Sequence, residues 1–247
     1  MERNMSFDGG SLDGVAVHLA WGQLEIFADD VDRIQVMAAG DDGSVNDLRI
    51  GEKEGWLVVE QPQYGLSLNI TESRWLQICV RMPKEWKKTI ACNTISGLLS
   101  ARGLRAKSLT LETVSGDLRA QRLNAQQMAL KTVSGDIRGE ELTAARLNVR
   151  SVSGDTALEA LNVETLKCNS VSGEQAYNMS ASFQMVEVTA VSGNVIVTAP
   201  VQAMNVSLRS ISGRVRTEGI AITDQPEAPS VRVTGVSADL KLIGIQE

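Results

Sequence analysis

The chain has 247 residues, 43% hydrophobic and 22% charged, enough apolar material for a long core and too much for a disordered chain. Its net charge is -6 and its pI about 5.0, so phosphate backbones and anionic surfaces are repelled and no nucleic acid is expected as a partner. Three cysteines, Cys79, Cys92 and Cys168, are too few and too odd in number for a disulfide framework.

Residues Met1 to Gly14 hold Asp8, Gly9, Gly10 and Asp13 and no apolar run of signal-peptide length. No later stretch reaches the roughly 20 apolar residues that span a bilayer, so no direct membrane insertion is expected. With the free cysteines this favours the cytoplasm, an envelope association being the other location. From Val15 the pattern alternates, through Val15, Val17 and Leu19, then Leu24 and Ile26, then Ile34 and Val36, which is the period of half-buried strands. Further strands are predicted at 48–50, 56–59, 66–70 and 76–82, with Pro83 ending the last. Ala20-Trp21-Gly22-Gln23-Leu24 reads as a worn copy of the repeat that follows. Trp21, Trp56, Trp75 and Trp86 all precede that repeat, so a strand-rich cap is expected in which large aromatics cover the first rung.

The repeat itself is marked by a Ser-Gly pair at Ser96, Ser115, Ser134, Ser153, Ser172, Ser192 and Ser212, with a variant at Ser237-Ala238. Successive gaps are 19, 19, 19, 19, 20, 20 and 25 residues, and a period near 20 with one structural unit per copy is the signature of a solenoid. Relative to the Val or Ile before Ser-Gly, the positions five and three before and four and nine after are apolar in nearly every copy. In one copy these are Leu109, Leu111, Leu118 and Leu123. The Val or Ile itself (Ile95, Val114, Val133, Val152, Val171, Val191, Ile211, Val236) is read as a further inward column. On that reading the chain bends between the third residue before it and the Val, and each copy is two short strands closed by a loop. The residues flanking the Val, Thr113 and Ser115 in one copy, then form two outward hydroxyl ladders. Gln175, Tyr177 and Ser180 replace apolar residues in the fifth copy, where a weakened or remodelled core is expected. Thr223 to Pro229, with two prolines, reads as a loop protruding from the final turn.

Three residues after the Val, Asp117, Asp136, Asp155 and Glu174 form an acidic row. It is the candidate interaction row, since like charges about 4.8 Å apart repel and invite a partner. A bridging cation is the sharper reading, but the unit is longer than calcium-binding repeats and Arg119 and Arg138 lie close enough to neutralise the row. His18 is the only histidine, so neither a zinc spacing nor a Ser-His-Asp triad is available. No catalytic, cofactor-binding or metal residue is assigned.

The copies at Val114 to Leu118 and Val133 to Ile137, after an alternating front ending Cys79-Val80-Arg81-Met82-Pro83-Lys84, resemble the bacterial putative-adhesin, or toastrack, domains. The resemblance runs from about Val15 to Ile245. It implies a non-enzymatic β-helix of unknown function, often associated with membrane-linked envelope-stress systems. The expectation is an all-β, single-chain parallel β-solenoid, or β-helix, of about eight rungs of 19–20 residues. Residues 1–89 form its cap, continuous with the array over 90–247. It acts as a non-catalytic interaction or scaffold module with a protein partner, a membrane-associated one included, and it forms a homodimer through the unpaired strand at the solenoid end. The alternative is a carbohydrate-binding or polysaccharide-processing β-helix.

Overall fold

From Thr89 to Ala199 each copy of the repeat lies on the one before it, in register save for one shift between Leu158 and Leu161, in a computed structural model that describes residues 1–62 and 74–245. Strand Leu118–Ser134 pairs in parallel with Ile137–Ser153, setting Leu118 against Ile137, Leu123 against Leu142, Met128 against Leu147 and Ser134 against Ser153. Ile137–Ser153 pairs the same way with Thr156–Ser172. Leu109, Leu111, Leu118 and their stacked equivalents from Thr89 to Ala199 are sealed from solvent, Thr156 and Gln175 included, whereas in the last rung in space Val206 and Leu208 are half-buried and Val215 is exposed. A slip of one residue would turn the sealed side chains outward, which is why the register is so strongly specified. This is the expected β-solenoid. The strand expected at 66–70 lies outside the described residues.

The cross-section differs from the expected pair of strands. Burial along Leu118–Ser134 alternates in three runs, Leu118 and Ala120, then Leu123 and Ala125, then Met128, Leu130 and Thr132. The runs are separated by exposed pairs at Gln121-Arg122 and Gln126-Gln127, and Arg122 has φ of 52°. Each rung therefore has three faces.

The inward assignment of the Val column is overturned. The alternation that places Leu109 and Leu111 inside continues unbroken to Thr113, which is 1% exposed, while Val114 is 42% exposed. The bend comes later, at Ser115-Gly116-Asp117, after which Leu118 resumes the inward phase. At this bend Gly135 has φ of +137°, and an added Cβ would overlap the carbonyl oxygen of Gly116 one rung earlier. Positive φ and close approach thus both require glycine.

The worn copy is a true rung. Gly14–Trp21 pairs in parallel with Thr89–Ser96, and Gln23–Asp29 with Leu99–Arg102, setting Val15 against Ile90 and Leu24 against Leu99. The intervening 60 or so residues continue two faces beyond that rung. One face extends through Leu76–Pro83, antiparallel Ile34–Gly40 and then Glu2–Phe7. The other extends through Trp56–Glu60 and antiparallel Arg49–Lys53. A short helix, Asp42–Asn46, lies between them. Leu12, Val45, Leu48 and Trp86 join the same core. Of the four tryptophans only Trp86 is buried; Trp75 is exposed, and Trp21 and Trp56 are half-buried.

At the other end, chain order and spatial order part. Strand Ser230–Gly244 inserts between Met185–Ala199 and the rung formed by Ala203–Ser210 and Val215–Glu218. Val231 stands against Val186 on one side and Val206 on the other. The last rung in sequence is therefore the second-last in space. The loop at Thr223 to Pro229 makes the return, held where Asn205 Nδ2 donates to the carbonyls of Gln225 (2.7 Å) and Ala228 (3.2 Å). In the fifth copy the polar replacements Gln175 and Tyr177 stay inside and bond one another: Tyr177 Oη donates to Gln175 Oε1 at 3.0 Å, and Gln175 Nε2 donates to Ser170 Oγ at 3.2 Å. Among the described residues no helix is long and apolar enough to cross a membrane.

Candidate interaction surface

The acidic row lies along the bend. One carboxylate oxygen of each early member accepts from the backbone one rung on: Asp136 N–H donates to Asp117 Oδ1 (3.1 Å), Asp155 N–H to Asp136 Oδ1 (3.1 Å) and Glu174 N–H to Asp155 Oδ1 (2.8 Å). The second oxygen of Asp136 takes Arg138 Nη2 at 2.9 Å. Amide donors and Arg138 relieve the repulsion that made the row conspicuous, so its residue type answers a need of the backbone. Among the described residues no cluster of three or more metal-ligating side chains forms.

The phase of the strands exchanges the two columns beside the bend. Thr94, Thr113, Thr132, Ser151 and Ser170 form the hydroxyl ladder, but inside, each at most 5% exposed. The hydroxyls of Thr113, Thr132 and Ser151 are buried without a hydrogen-bond partner among the described residues. Outside stand Ile95, Val114, Val133, Val152, Val171, Val191 and Val236, each between 41% and 49% exposed, with Ile211 at 84% closing the row. Strand register places them one per rung in the spatial order Ile95, Val114, Val133, Val152, Val171, Val191, Val236, Ile211, with Ala20 ahead of Ile95. An unbroken line of aliphatic side chains on a water-facing sheet lacks the polar outward face such sheets normally carry. The serines after each Val border the line on one side, adding hydroxyls but no charge.

Sequence reasoning assigned these side chains to the core because they are apolar. The usable signal was parity: the positions five, three and one before Val114 keep one face, which places Val114 on the other.

Two of the grooves along the faces bear on a site. One, of about 440 Å³, opens at the cap end of the aliphatic line and is lined by His18, Ala20, Glu60, Gln61, Ile95 and Val114, with Asn93 and Glu112 beside them. Gln61 builds its edge, its Oε1 accepting from the backbone N–H of Ala20 (2.9 Å) and Trp21 (3.1 Å). His18 is exposed, with Nδ1 3.2 Å from Asn93 Nδ2. The other groove, of about 990 Å³, runs along a different face past Phe27, Asp29, Arg102, Arg122 and Glu141. Three carboxylates of the described residues line it: Asp29 and Glu141 are three rungs apart, about 14 Å at ~4.8 Å per rung, wider than the ~5–9.5 Å of paired glycosidase carboxylates, while Glu85 lies on the Asp29 side, two residues past the Pro83 that pairs with Asp29. Among the described residues its one aromatic, Phe27, is engaged by the guanidinium groups of Arg102 (5.1 Å) and Arg81 (6.0 Å).

Cys92 and Cys168 take no part in a surface site, while Cys79 lies under a shallow groove beside Met5, Met37 and Arg81. Burial pushes the Cys92 thiol up to about 12 and the Cys168 thiol up to about 11, and Cys79 is raised by the same cause.

A model of the family described as Toastrack DUF4097 matches residues 18–242. Among curated proteins none matches the chain. Solved structures do. A putative adhesin from Bacteroides fragilis shares 14% identity at a TM-score of 0.60, covering 98% of this chain and 97% of its own. A putative adhesin from Parabacteroides distasonis shares 10% identity at 0.65, covering 98% and 96%. A structure described as a putative lipid binding protein, also from Parabacteroides distasonis, shares 15% identity at 0.54, covering 98% and 96%. At these identities the likeness is one of fold.

Proposed function

The chain belongs to the Toastrack DUF4097 family, and from that premise we propose that it is a non-catalytic, adhesin-like interaction module of the bacterial envelope that docks a protein along its aliphatic line. The carrying observation is the line itself: eight Ile and Val side chains, one per rung, held at 41% exposure or more on a rigid sheet. Exposed apolar patches of this continuity mark interaction sites. A sheet of stacked rungs holds such a patch straight and rigid, so little ordering entropy opposes docking. Its chemistry favours a protein over an anionic membrane, because the net charge is -6 and the line carries no aromatic anchor of the kind that seats proteins at lipid interfaces.

Photo-crosslinking tests the reading. A photoreactive side chain at position 133 or 171, irradiated in a bacterial lysate, is expected to give adducts of discrete mass that disappear when Val114→Lys and Val152→Lys are also present. Equal adducts from a position on another face, such as Asn124, would remove the line from the account.

A further inference from the structure

The aliphatic line ends differently at its two extremes. At the cap end lies the groove of about 440 Å³, where Ala20, Ile95 and Val114 adjoin Glu60 and Glu112. At the far end Ile211 protrudes, 84% exposed where the other members reach at most 49%. It sits in the segment Arg209-Ser210-Ile211-Ser212-Gly213-Arg214-Val215-Arg216. Arg209, Arg214 and Arg216 are exposed and form no ion pair among the described residues, and neither does Glu60, whose cross-strand neighbour Arg49 is beyond ion-pair distance; Glu112 is paired with Lys131 at 3.2 Å, so Glu60 is the acid of the recess left for a partner. One extreme is a basic knob with an apolar tip; the other is an acidic recess with an apolar wall.

Resting on the reading of the line as a docking surface, we propose that its occupant is a second copy of this chain, laid antiparallel so that each Ile211 enters the other's groove. From Ala20 to Ile211 the line makes eight steps of ~4.8 Å, about 38 Å, and Val152 is the fifth of its nine members. A twofold axis beside Val152 carries Ile211 onto Ala20 and Ile95 at both ends at once, which is the self-complementarity an isologous interface requires. The same operation sets Arg209 against His18, one rung from Glu60 and two from Glu112, because all four lie in the outward column two residues before the line: Arg209 precedes Ile211 as His18 precedes Ala20 and Glu112 precedes Val114, and Glu60 is the strand neighbour of His18. Valines at one pitch in both copies interdigitate along the middle, as in a dry zipper. With its flanking columns the surface is ~20 Å wide, so about 750 Å² is covered on each copy, close to the ~800 Å² per partner of a standard interface. Arg150 opposes the arrangement, since it falls next to the axis and faces its own copy. The end of the solenoid, where the sequence placed a homodimer, is a single rung wide and offers a smaller contact than the line.

Sedimentation velocity over about 1–100 μM protein tests the inference. The wild type is expected to dimerise. Arg209→Glu and Glu60→Arg, both on exposed side chains, each weaken dimerisation at least about 10-fold by opposing like charges at both ends. An equimolar mixture of the two variants recovers it, because each end of the mixed dimer again joins unlike charges. Arg150→Ser tightens the dimer. A wild type that is monomeric at 100 μM, or a mixture no better than its components, would overturn the inference. If that happens while the cross-linked adducts still depend on Val114 and Val152, the line docks a different protein and only the present inference fails; loss of both results removes the docking surface as well.

Discussion

The backbone N–H of Asp155 donates to Oδ1 of Asp136, 3.1 Å away and one rung earlier, so a side chain of one repeat caps the bend of the next. An amide oxygen accepts this bond as a carboxylate does, but a methyl group cannot. Asp136→Asn is therefore expected to hold stability within about 0.5 kcal/mol, and Asp136→Ala to lower it by about 1 kcal/mol, read from urea unfolding at constant m. Equal losses would show that charge, through Arg138, is what the row provides.

Thr132 and Val133 exchange the roles their chemistry suggests. The Thr132 hydroxyl is buried without a partner among the described residues, so Thr132→Val removes an unsatisfied group at nearly constant volume and is expected to stabilise by about 1 kcal/mol. Val133→Thr, on the outer surface, is expected to change stability by less than about 0.5 kcal/mol. Thermal or urea denaturation of the two variants decides the phase of the strand; the reverse order of effects would restore Val133 to the core.

The thiols of Cys92 and Cys168 are buried and held protonated well above neutral pH. Only thiolate reacts quickly with alkylating or disulfide reagents. The native protein is expected to leave both unmodified at about pH 8 under conditions that label the urea-unfolded chain at three sites, with mass spectrometry as the readout.

Asp41 caps the helix Asp42–Asn46, its carboxylate accepting from Ser44 Oγ (2.7 Å), Ser44 N–H (3.0 Å) and Trp75 N–H (3.0 Å). The Ser44 hydroxyl bond leads the effects that hold its pKa below the usual carboxylate value. A depressed folded pKa gives stability that is present above the unfolded value and lost as pH falls through the folded one. Melting temperatures measured downward from about pH 5 should fall less steeply for Asp41→Asn than for the wild type. Parallel slopes would mean that the cap contributes nothing to folding.

The repeat made the stacking legible, because Leu109, Met128 and Leu147 recur at a fixed interval and parallel stacking follows from like columns. The phase at Val114 was harder to read. Its apolar side chain outweighed the parity of Leu109, Leu111 and Thr113, and the true bend falls at Gly116, where backbone conformation decides. Insertion of Ser230–Gly244 ahead of the Ala203–Ser210 rung left no mark, since Val206 and Val231 satisfy the same column and either could lie against Val186. The groove at Ala20 was beyond reach for another reason: it needs Glu60 and Gln61, which about 60 residues of cap fold back against the first rung.

Maleimide labelling of Val152→Cys beside Ser151→Cys, in dilute and in concentrated protein, tests the outward aliphatic line most directly, because the native cysteines are buried. The account predicts rapid labelling of Val152→Cys when dilute, protection of the same site when concentrated, and protection of Ser151→Cys at both concentrations. Rapid labelling of Ser151→Cys with Val152→Cys protected even when dilute would contradict it.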